Sequence, residues 1–297
     1  MIIFAGALSL TKAADTSNTI SRDDFNFGHQ LGYMYARMDD AYFKDDGACT
    51  FTTGFLAFHT PVMPIVRNSY WKERTILMVP LYLEYFPCSR ISLQAEVTDL
   101  FIEFPYESIE NMGGKSPRFK TKIKLLGEHG RLPALALTIG VKFSSAKPYT
   151  IWDNNHNYDE SNGLAGAGTG VADYLLLFTA SRHVLPDVTI HARLGLAPLG
   201  SPVEYTRGSA QADEIPYGLA VNKEITGRWA LQTEVCGMYN GLKSTRLAHY
   251  SVARIKGTYR QGPLELTFDA ERGLTEETDT WVAGVYLQSS VRKKSGK

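Results

Sequence analysis

Phe119-Lys120-Thr121-Lys122-Ile123-Lys124-Leu125 is the stretch that decides the fold class of this chain. Its three lysines occupy every second position, and mainly apolar side chains fill the positions between them. An α-helix would spread the lysines around its axis, whereas a β-strand points alternate side chains to opposite faces. The stretch therefore predicts a strand with one basic face and one apolar face.

The same period of two recurs along most of the chain. It is clearest at residues 134–143, 188–196 and 264–271, where apolar side chains alternate with small or polar ones. Weaker alternation predicts eight more strands at about residues 49–60, 73–86, 91–104, 171–183, 214–225, 229–241, 249–260 and 280–290. Most of these predicted strands reach the length of about 9–11 residues that a tilted strand needs to cross a membrane.

The connections between these strands alternate in length. Short turns are predicted at residues 87–90, 128–132, 185–187, 226–228 and 261–263. Longer loops are predicted at residues 61–72, 105–117, 146–170, 200–213, 242–248 and 273–279. Bacterial outer-membrane barrels pair short periplasmic turns with longer extracellular loops in this way. We therefore predict an all-β fold, a transmembrane up-and-down antiparallel β-barrel of about 12 strands.

The composition agrees with a membrane barrel and argues against two other classes. Of the 297 residues 44% are hydrophobic, which is too many for a disordered chain. The formal net charge of +0 gives no support for a nucleic-acid partner, because binding to phosphates needs a basic surface. No stretch reaches the roughly 18 consecutive apolar residues of a membrane-spanning helix.

Alternation alone does not say which face of each strand points inward. A soluble barrel buries its apolar face, whereas a membrane barrel turns that face to lipid and lines its lumen with polar residues. Aromatic residues near strand ends on the apolar face favour the membrane arrangement, since such residues form girdles at membrane interfaces. These residues are Tyr174, Tyr217, Trp229, Tyr259 and Trp281.

The polar faces carry opposite charges on neighbouring strands, which in a confined lumen would set the field that a solute meets. We predict that the lumen is lined by the cations Lys120, Lys122, Lys124, Lys142, Arg193, Arg254, Lys256 and Arg260 and by the carboxylates Glu96, Asp173, Glu234, Glu265, Asp269 and Glu271. The alternative is a water-facing surface with ordinary ion pairs, each worth under about 1 kcal/mol. A barrel of about twelve strands should have a narrow lumen, which the loop at 146–170 would restrict further.

The residues before the predicted barrel divide into two parts. Residues 1–14 have the apolar run and small-residue cleavage region of a secretory signal, without the basic residues that usually precede them. In the N-terminal segment 15–48, apolar residues recur at helical spacing and predict a short amphipathic helix, either in the lumen or in the periplasm. These residues are Leu31, Met34, Tyr35, Met38 and Tyr42. The barrel is expected over residues 49–291, followed by a basic tail at 292–297.

Several hairpins have a recognisable pattern. They comprise residues 265–275 with 279–286, residues 217–220 with 226–231, residues 120–126 with 132–137, and the glycine-rich run 166–173 that leads into a strand. This pattern, over about residues 73–290, resembles a family of outer-membrane transporters labelled as the MetA pathway of phenol degradation. The resemblance implies an outer-membrane barrel that passes small hydrophobic or aromatic compounds, and it brings no catalytic residues. Such barrels usually end on an aromatic residue that is recognised during assembly, whereas this chain continues past Tyr286.

Two segments suggest chemistry that the surrounding residues do not support. Residues 159–163 resemble part of the active-site segment of outer-membrane phospholipase A, but Asp159 stands where that enzyme has the histidine that activates the serine, here Ser161. The glycines of residues 166–170 are followed by a predicted strand, whereas a phosphate-binding loop opens a helix. The histidines show no metal-ligand spacing, so no catalytic residue, metal or cofactor is expected.

The three cysteines are too few for a disulfide scaffold. Cys49 and Cys88 are predicted at the same rim of adjacent strands, where a disulfide between them is a candidate.

These patterns lead to an expected function and expected partners. We expect a channel or transporter in the outer membrane of a Gram-negative bacterium that passes small solutes through a narrow, charged lumen. The expected partners are outer-membrane lipid, the barrel-assembly machinery and a small-molecule solute. The alternatives are a non-conducting structural barrel and, with less support, an outer-membrane lipid hydrolase.

Overall fold

A computed structural model describes the strands of the chain and the segment that precedes them. The described residues are 40–60, 63–66, 69–71, 74–105, 111–143, 172–198, 214–240, 249–274 and 281–291. The strands are β1 (Cys49–Thr60), β2 (Met63–Val66), β3 (Ser69–Trp71), β4 (Arg74–Cys88), β5 (Ile91–Pro105), β6 (Asn111–Leu126), β7 (Ala134–Lys142), β8 (Asp173–Leu185), β9 (Val188–Leu196), β10 (Glu214–Glu224), β11 (Trp229–Asn240), β12 (His249–Gln261), β13 (Leu264–Gly273) and β14 (Trp281–Val291).

Twelve of these strands form one closed antiparallel barrel, and β2 and β3 form a separate hairpin. Each barrel strand pairs with its neighbours in the chain, and β1 closes the barrel by pairing with β14 from Cys49↔Val291 to His59↔Trp281. Closure pairs both edges of each of the twelve barrel strands. The predicted twelve-stranded up-and-down barrel is therefore confirmed.

Two boundaries differ from the sequence-based prediction. β6 begins at Asn111, so the predicted loop at 105–117 is wrong over its second half. Residues 111–118 contain Gly, Ser and Pro, which usually indicate turns. Pairing with β5 overrides these local preferences, with Asn111 opposite Glu103 and shifts in register near Thr98. The predicted loop at 61–72 contains the β2–β3 hairpin.

The described part of the predicted amphipathic helix is not helical. Tyr42 is its last member, and residues 40–48 contain only a bend and a turn. The other members, Leu31, Met34, Tyr35 and Met38, lie outside the described residues. Among the described residues, no helix is long and apolar enough to cross a membrane.

The apolar face of the barrel points outward. Phe55, Phe178 and Leu219 are each about half exposed, and similar large apolar side chains cover the outside of nearly every strand. The alternate positions point into the barrel and carry buried polar and charged side chains. So large a continuous apolar surface is stable only in contact with lipid, because monomers in water rarely expose such patches. The barrel therefore has the inside-out arrangement of a membrane barrel.

The predicted aromatic residues lie on this outer surface. Trp229 and Tyr259 contact each other at the short-turn rim, with ring centroids 4.9 Å apart. Tyr174 and Trp281 are exposed at the opposite rim, where Trp281 stacks on His59 at 5.8 Å. Together these pairs mark the two levels at which a lipid bilayer meets water.

Candidate functional site

The inner face of the barrel carries the charged residues singled out in the sequence. Of the fourteen predicted residues, thirteen lie at inward-facing positions of described strands. Ten of these side chains are buried, and three near the short-turn rim are partly exposed: Lys124, Arg260 and Glu265. Asp173 is the first residue of β8, and its side chain lies outside the described part of the structure. A role of these residues in transport stays a prediction.

One carboxylate organises the wall formed by β9 to β13. Glu234 accepts hydrogen bonds from Arg193 on β9 and Lys256 on β12, both at 3.1 Å. Arg254 lies 3.6 Å from the same carboxylate and pairs with Glu271 on β13 at 2.6 Å. The chain of ion pairs thus crosses five neighbouring strands. All five side chains are almost fully buried, so each charge depends on its partners for stabilisation.

A glycine makes this chain of ion pairs possible. Arg193 reaches Glu234 across β10, and the inward position that it crosses is Gly218. A Cβ at Gly218 would lie 2.6 Å from Nε of Arg193, closer than two such atoms can approach. In the sequence, the small residues of β10 are the signal for this arrangement, and the pattern of charges does not contain it.

Four further carboxylates of the lumen take part in ion pairs or hydrogen bonds. Glu96 on β5 pairs with Arg118 on β6 at 2.7 Å, and both are buried. Near the short-turn rim, Arg260 lies 2.7 Å from Glu224 and 3.3 Å from Glu265. Arg118 and Glu224 were not among the predicted residues. Arg118 continues the period of two from Lys120, so extending the predicted strand by one residue would have found it.

Glu84 on β4 is the fourth of these carboxylates, and the partners described for it are neutral. Gln94 on β5 donates a hydrogen bond to it at 2.9 Å, and Ser92 donates a second. The predicted set of charges did not include Glu84.

The segment of residues 40–48, here called the strap, crosses the lumen at the short-turn rim. At one end the amide of Ala41 donates a hydrogen bond to Oγ of Ser181 on β8 at 2.8 Å. Ala41 is also buried against Ala134 and Ala136 of β7. The hydroxyl of Tyr42 donates to Glu128, in the β6–β7 turn, at 2.6 Å.

The other end of the strap is attached to the far wall. Lys44 donates hydrogen bonds to Thr50 on β1 at 2.8 Å and to Ser290 on β14 at 2.9 Å. The amide of Gly47 donates to the carbonyl of Phe86 on β4 at 2.7 Å. In the closed strand order β8, which holds Ser181, lies six strands from β14, which holds Ser290, so the strap runs between opposite walls.

The strap is long enough to divide the mouth of the lumen when the side chain of Lys44 is included. Twelve strands spaced about 4.8 Å apart and tilted by about 40° enclose a backbone cylinder roughly 24 Å across. The seven steps from Ala41 to Ala48 span about 24 Å when extended. The turn from Asp45 to Ala48 shortens this span, and the side chain of Lys44 completes the crossing by reaching the far wall.

The attachment of Tyr42 involves two titratable partners. Glu128 accepts the Tyr42 hydroxyl and lies 2.8 Å from Nδ1 of His183. The hydrogen bond from Tyr42, followed by the contact with His183, lowers the pKa of Glu128 to about 2. Partial burial and the neighbouring carboxylate raise the pKa of Tyr42 well above its usual range, so its hydroxyl stays a donor.

Cys49 and Cys88 do not form the disulfide considered from the sequence, since both thiols are free. Cys49 lies opposite Tyr85, three residues before Cys88 on β4. That offset separates the two Cα atoms by roughly 10 Å, beyond the reach of a disulfide. The sequence did not show that β4 extends to Cys88, three residues beyond the partner of Cys49, so it could not exclude this disulfide.

The segments that suggested chemistry in the sequence lie outside the described residues. Within the described ranges, no group of three or more His, Cys, Asp and Glu side chains could hold a metal ion. The segment 159–163, the glycine run 166–170 and the restricting loop 146–170 lie outside the described residues, as do residues 1–14 and 292–297. Ser181 and His191 form a 2.8 Å hydrogen bond, but both are buried beside the strap and Ser181 already accepts the amide of Ala41.

Comparisons with known proteins identify the fold. No protein-family model and no curated protein matches the sequence. An outer membrane channel from Pseudomonas putida F1 aligns with a TM-score of 0.62 and 12% identity, over 85% of this chain and 98% of that chain. The KdgM porin aligns with a TM-score of 0.46 and 6% identity, over 82% and 99% of the two chains. The CymD monoaromatic hydrocarbon channel aligns with a TM-score of 0.44 and 9% identity, over 84% and 90%.

The likeness to the Pseudomonas putida channel concerns the fold, and it agrees with the outward-facing apolar surface described above. The resemblance seen in the sequence implied the same kind of barrel. The chain is a twelve-stranded β-barrel of the outer-membrane type.

Proposed function

We propose that this protein is a passive outer-membrane channel for small solutes. The observation that carries the proposal is the charged inner face, where buried Arg, Lys, Glu and Asp side chains line the barrel from β5 to β13. Buried charges cost stability unless they are paired, and apolar side chains of similar size would often stabilise a filled interior as well or better. A lumen that retains so many charges is better explained by passage of a polar or charged group.

The width of the lumen supports a small solute. Eight-stranded barrels are filled by side chains, whereas barrels of about sixteen strands hold open aqueous channels. Twelve strands lie between these limits, and the strap narrows the short-turn mouth further.

The distribution of apolar residues inside the barrel supports a solute that is partly hydrophobic. Inward-facing Leu56, Leu175, Leu177 and Val282 lie in the half of the lumen nearer the long loops. They form apolar contacts ahead of the central charges for a solute that enters from that side. The family resemblance of the sequence, which implies hydrophobic or aromatic compounds, agrees with this arrangement.

The remaining parts of the proposal concern export and assembly. Residues 1–14 would direct export, the barrel-assembly machinery would insert the barrel, and outer-membrane lipid would cover its apolar surface. No catalytic role is proposed, because the lumen offers no nucleophile and base that are both accessible in the described residues.

Single-channel recording in planar lipid bilayers tests the proposal. Protein that migrates faster on a gel when unboiled, and is therefore a closed barrel, should produce discrete conductance steps. A double variant that frees the strap, Tyr42→Phe with Lys44→Ala, should conduct more than the native chain.

A second candidate function follows from the ion pairs that join β9 to β13, because such a network could close the lumen permanently. Bilayers that stay silent with both the native chain and the strap variant would contradict the channel and favour this non-conducting structural barrel.

A further inference from the structure

We propose that the inner face of β6 and β7 binds the anionic group of the transported solute, so that the channel selects small organic anions. This inference rests on the proposed channel function and adds the charge class of the solute.

β6 and β7 carry a concentration of positive charge in the described lumen. Their inner faces hold five cations and, among the described residues, no carboxylate: Arg118, Lys120, Lys122, Lys124 and Lys142. Four of the five are almost fully buried and point into the barrel. Neighbouring β5 contributes Glu96, which is paired with Arg118.

The opposite wall is electrostatically balanced. β12 and β13 lie six strands away from β6 and β7 around the closed order. β13 holds three inward carboxylates, and β12 beside it holds three inward cations. Each of these cations lies within 3.1 Å of a carboxylate. Among the described residues, the five cations of the β6–β7 wall outnumber the two carboxylates beside them, Glu96 and Asp40, and a wall with more cations than carboxylates favours an anion over a cation.

Neutral donors accompany the cations. Thr138 on β7 pairs with Lys122 on β6. Thr179 lies on the neighbouring strand β8, where it pairs with Ala136 of β7. The Oγ1 atoms of both are buried and have no hydrogen-bond partner within the part of the chain that the structure describes. Hydroxyl groups can donate to carboxylate oxygens, so cations and hydroxyls together make a surface suited to a carboxylate.

The backbone of β7 leaves space for this surface. Its inward positions before Lys142 are small, and at Gly140 an added Cβ would lie 2.9 Å from Cγ of Lys120. Lys120 therefore lies over β7 because that position has no side chain. The arrangement brings the lysines of β6 towards Lys142 on β7.

A carboxylate of the chain itself already lies beside this wall. Asp40 of the strap is 3.8 Å from Nζ of Lys122, and its side chain is 46% exposed. Phe43 of the same segment lies under Lys122, with its ring centroid 4.9 Å from Nζ. A carboxylate and an aromatic ring thus both contact Lys122 on the β6–β7 wall. A small aromatic acid would present the same two groups.

Reversal potentials in planar bilayers test the inference. With a KCl gradient across the full-length protein, we expect chloride to permeate better than potassium, and benzoate in place of chloride to carry current. The double variant Lys120→Gln with Lys142→Gln should lower the chloride-to-potassium permeability ratio at least about twofold, because it removes two charges from the wall. Faster gel migration without boiling would show that the variant still forms a barrel.

Two control variants separate lumen charge from total charge. Lys223→Gln removes a lysine that is exposed on the outside of β10, and it should leave the ratio unchanged. Lys120→Arg keeps the charge and should keep the ratio. Conductance steps with cation selectivity in the native chain would overturn the inference while leaving the channel function intact. The absence of any conductance would overturn both.

Discussion

At the scale of single residues, Glu234 has the most demanding environment in the described lumen. Three cations share its carboxylate, and its side chain is fully buried. Its pairing was partly visible in the sequence, which placed Glu234 beside the cations of the following strand. The contribution of Arg193 was not visible, because it crosses a whole strand over Gly218.

Replacement of Glu234 by glutamine should destabilise the barrel strongly. The change leaves three buried cations without their common carboxylate, and breaking a buried pair in this way costs about 3–5 kcal/mol. Urea unfolding of the protein in lipid vesicles would measure the loss.

The matched control for this change is Glu224→Gln. Glu224 pairs with Arg260, and both side chains are 38% exposed. Ion pairs that water can reach contribute under about 1 kcal/mol, so this variant should unfold almost as the native chain does. Equal losses in the two variants would show that the Glu234 site is hydrated.

At the scale of elements, the strap is held by a few hydrogen bonds at each end. Tyr42→Phe removes one of them, the bond to Glu128. Amide hydrogen exchange of residues 40–48 should become about fivefold faster at neutral pH, as expected for a hydrogen bond worth about 1 kcal/mol. Tyr259→Phe, on the outer surface at the same rim, should leave this exchange unchanged.

Acid should loosen the same attachment in the native chain. The pKa of Glu128 is lowered in the folded state to about 2, so its carboxylate is the bound form. The stabilisation is complete above the ordinary carboxyl pKa of about 4.3 and is lost as the pH falls towards 2. Exchange of residues 40–48, corrected for intrinsic rates, should therefore accelerate across this window. In Tyr42→Phe the acceleration should be smaller, and an identical pH profile would contradict the assigned role of Glu128.

At the scale of the whole molecule, the outward apolar surface requires lipid. Leu219 lies at the middle of β10 and is 56% exposed. Leu219→Arg places a charge near the bilayer midplane and should cost about 2–4 kcal/mol of stability in vesicles. Ile225→Arg, just beyond the short-turn end of β10, should cost about 0–1 kcal/mol. A lack of dependence on depth, measured by the same urea unfolding, would contradict the lipid-facing surface.

The sequence by itself determined the fold class and the number of strands in the barrel. The alternation of side chains in stretches such as Phe119–Leu125 is a local property of an extended backbone, so it survives without knowledge of the partners. The same property placed the charged residues on a common face. Alternating turn and loop lengths then ordered the strands into a barrel.

Only the tertiary structure decided what depends on closure of the barrel. The start of β6 at Asn111 follows from pairing with β5, against the local preference for a turn. The separation of Cys49 from Cys88 follows from the register of β1 and β4. The course of the strap across the lumen depends on contacts between residues up to 246 positions apart in the chain. No local pattern encodes such contacts, because they exist only once the first and last strands have met.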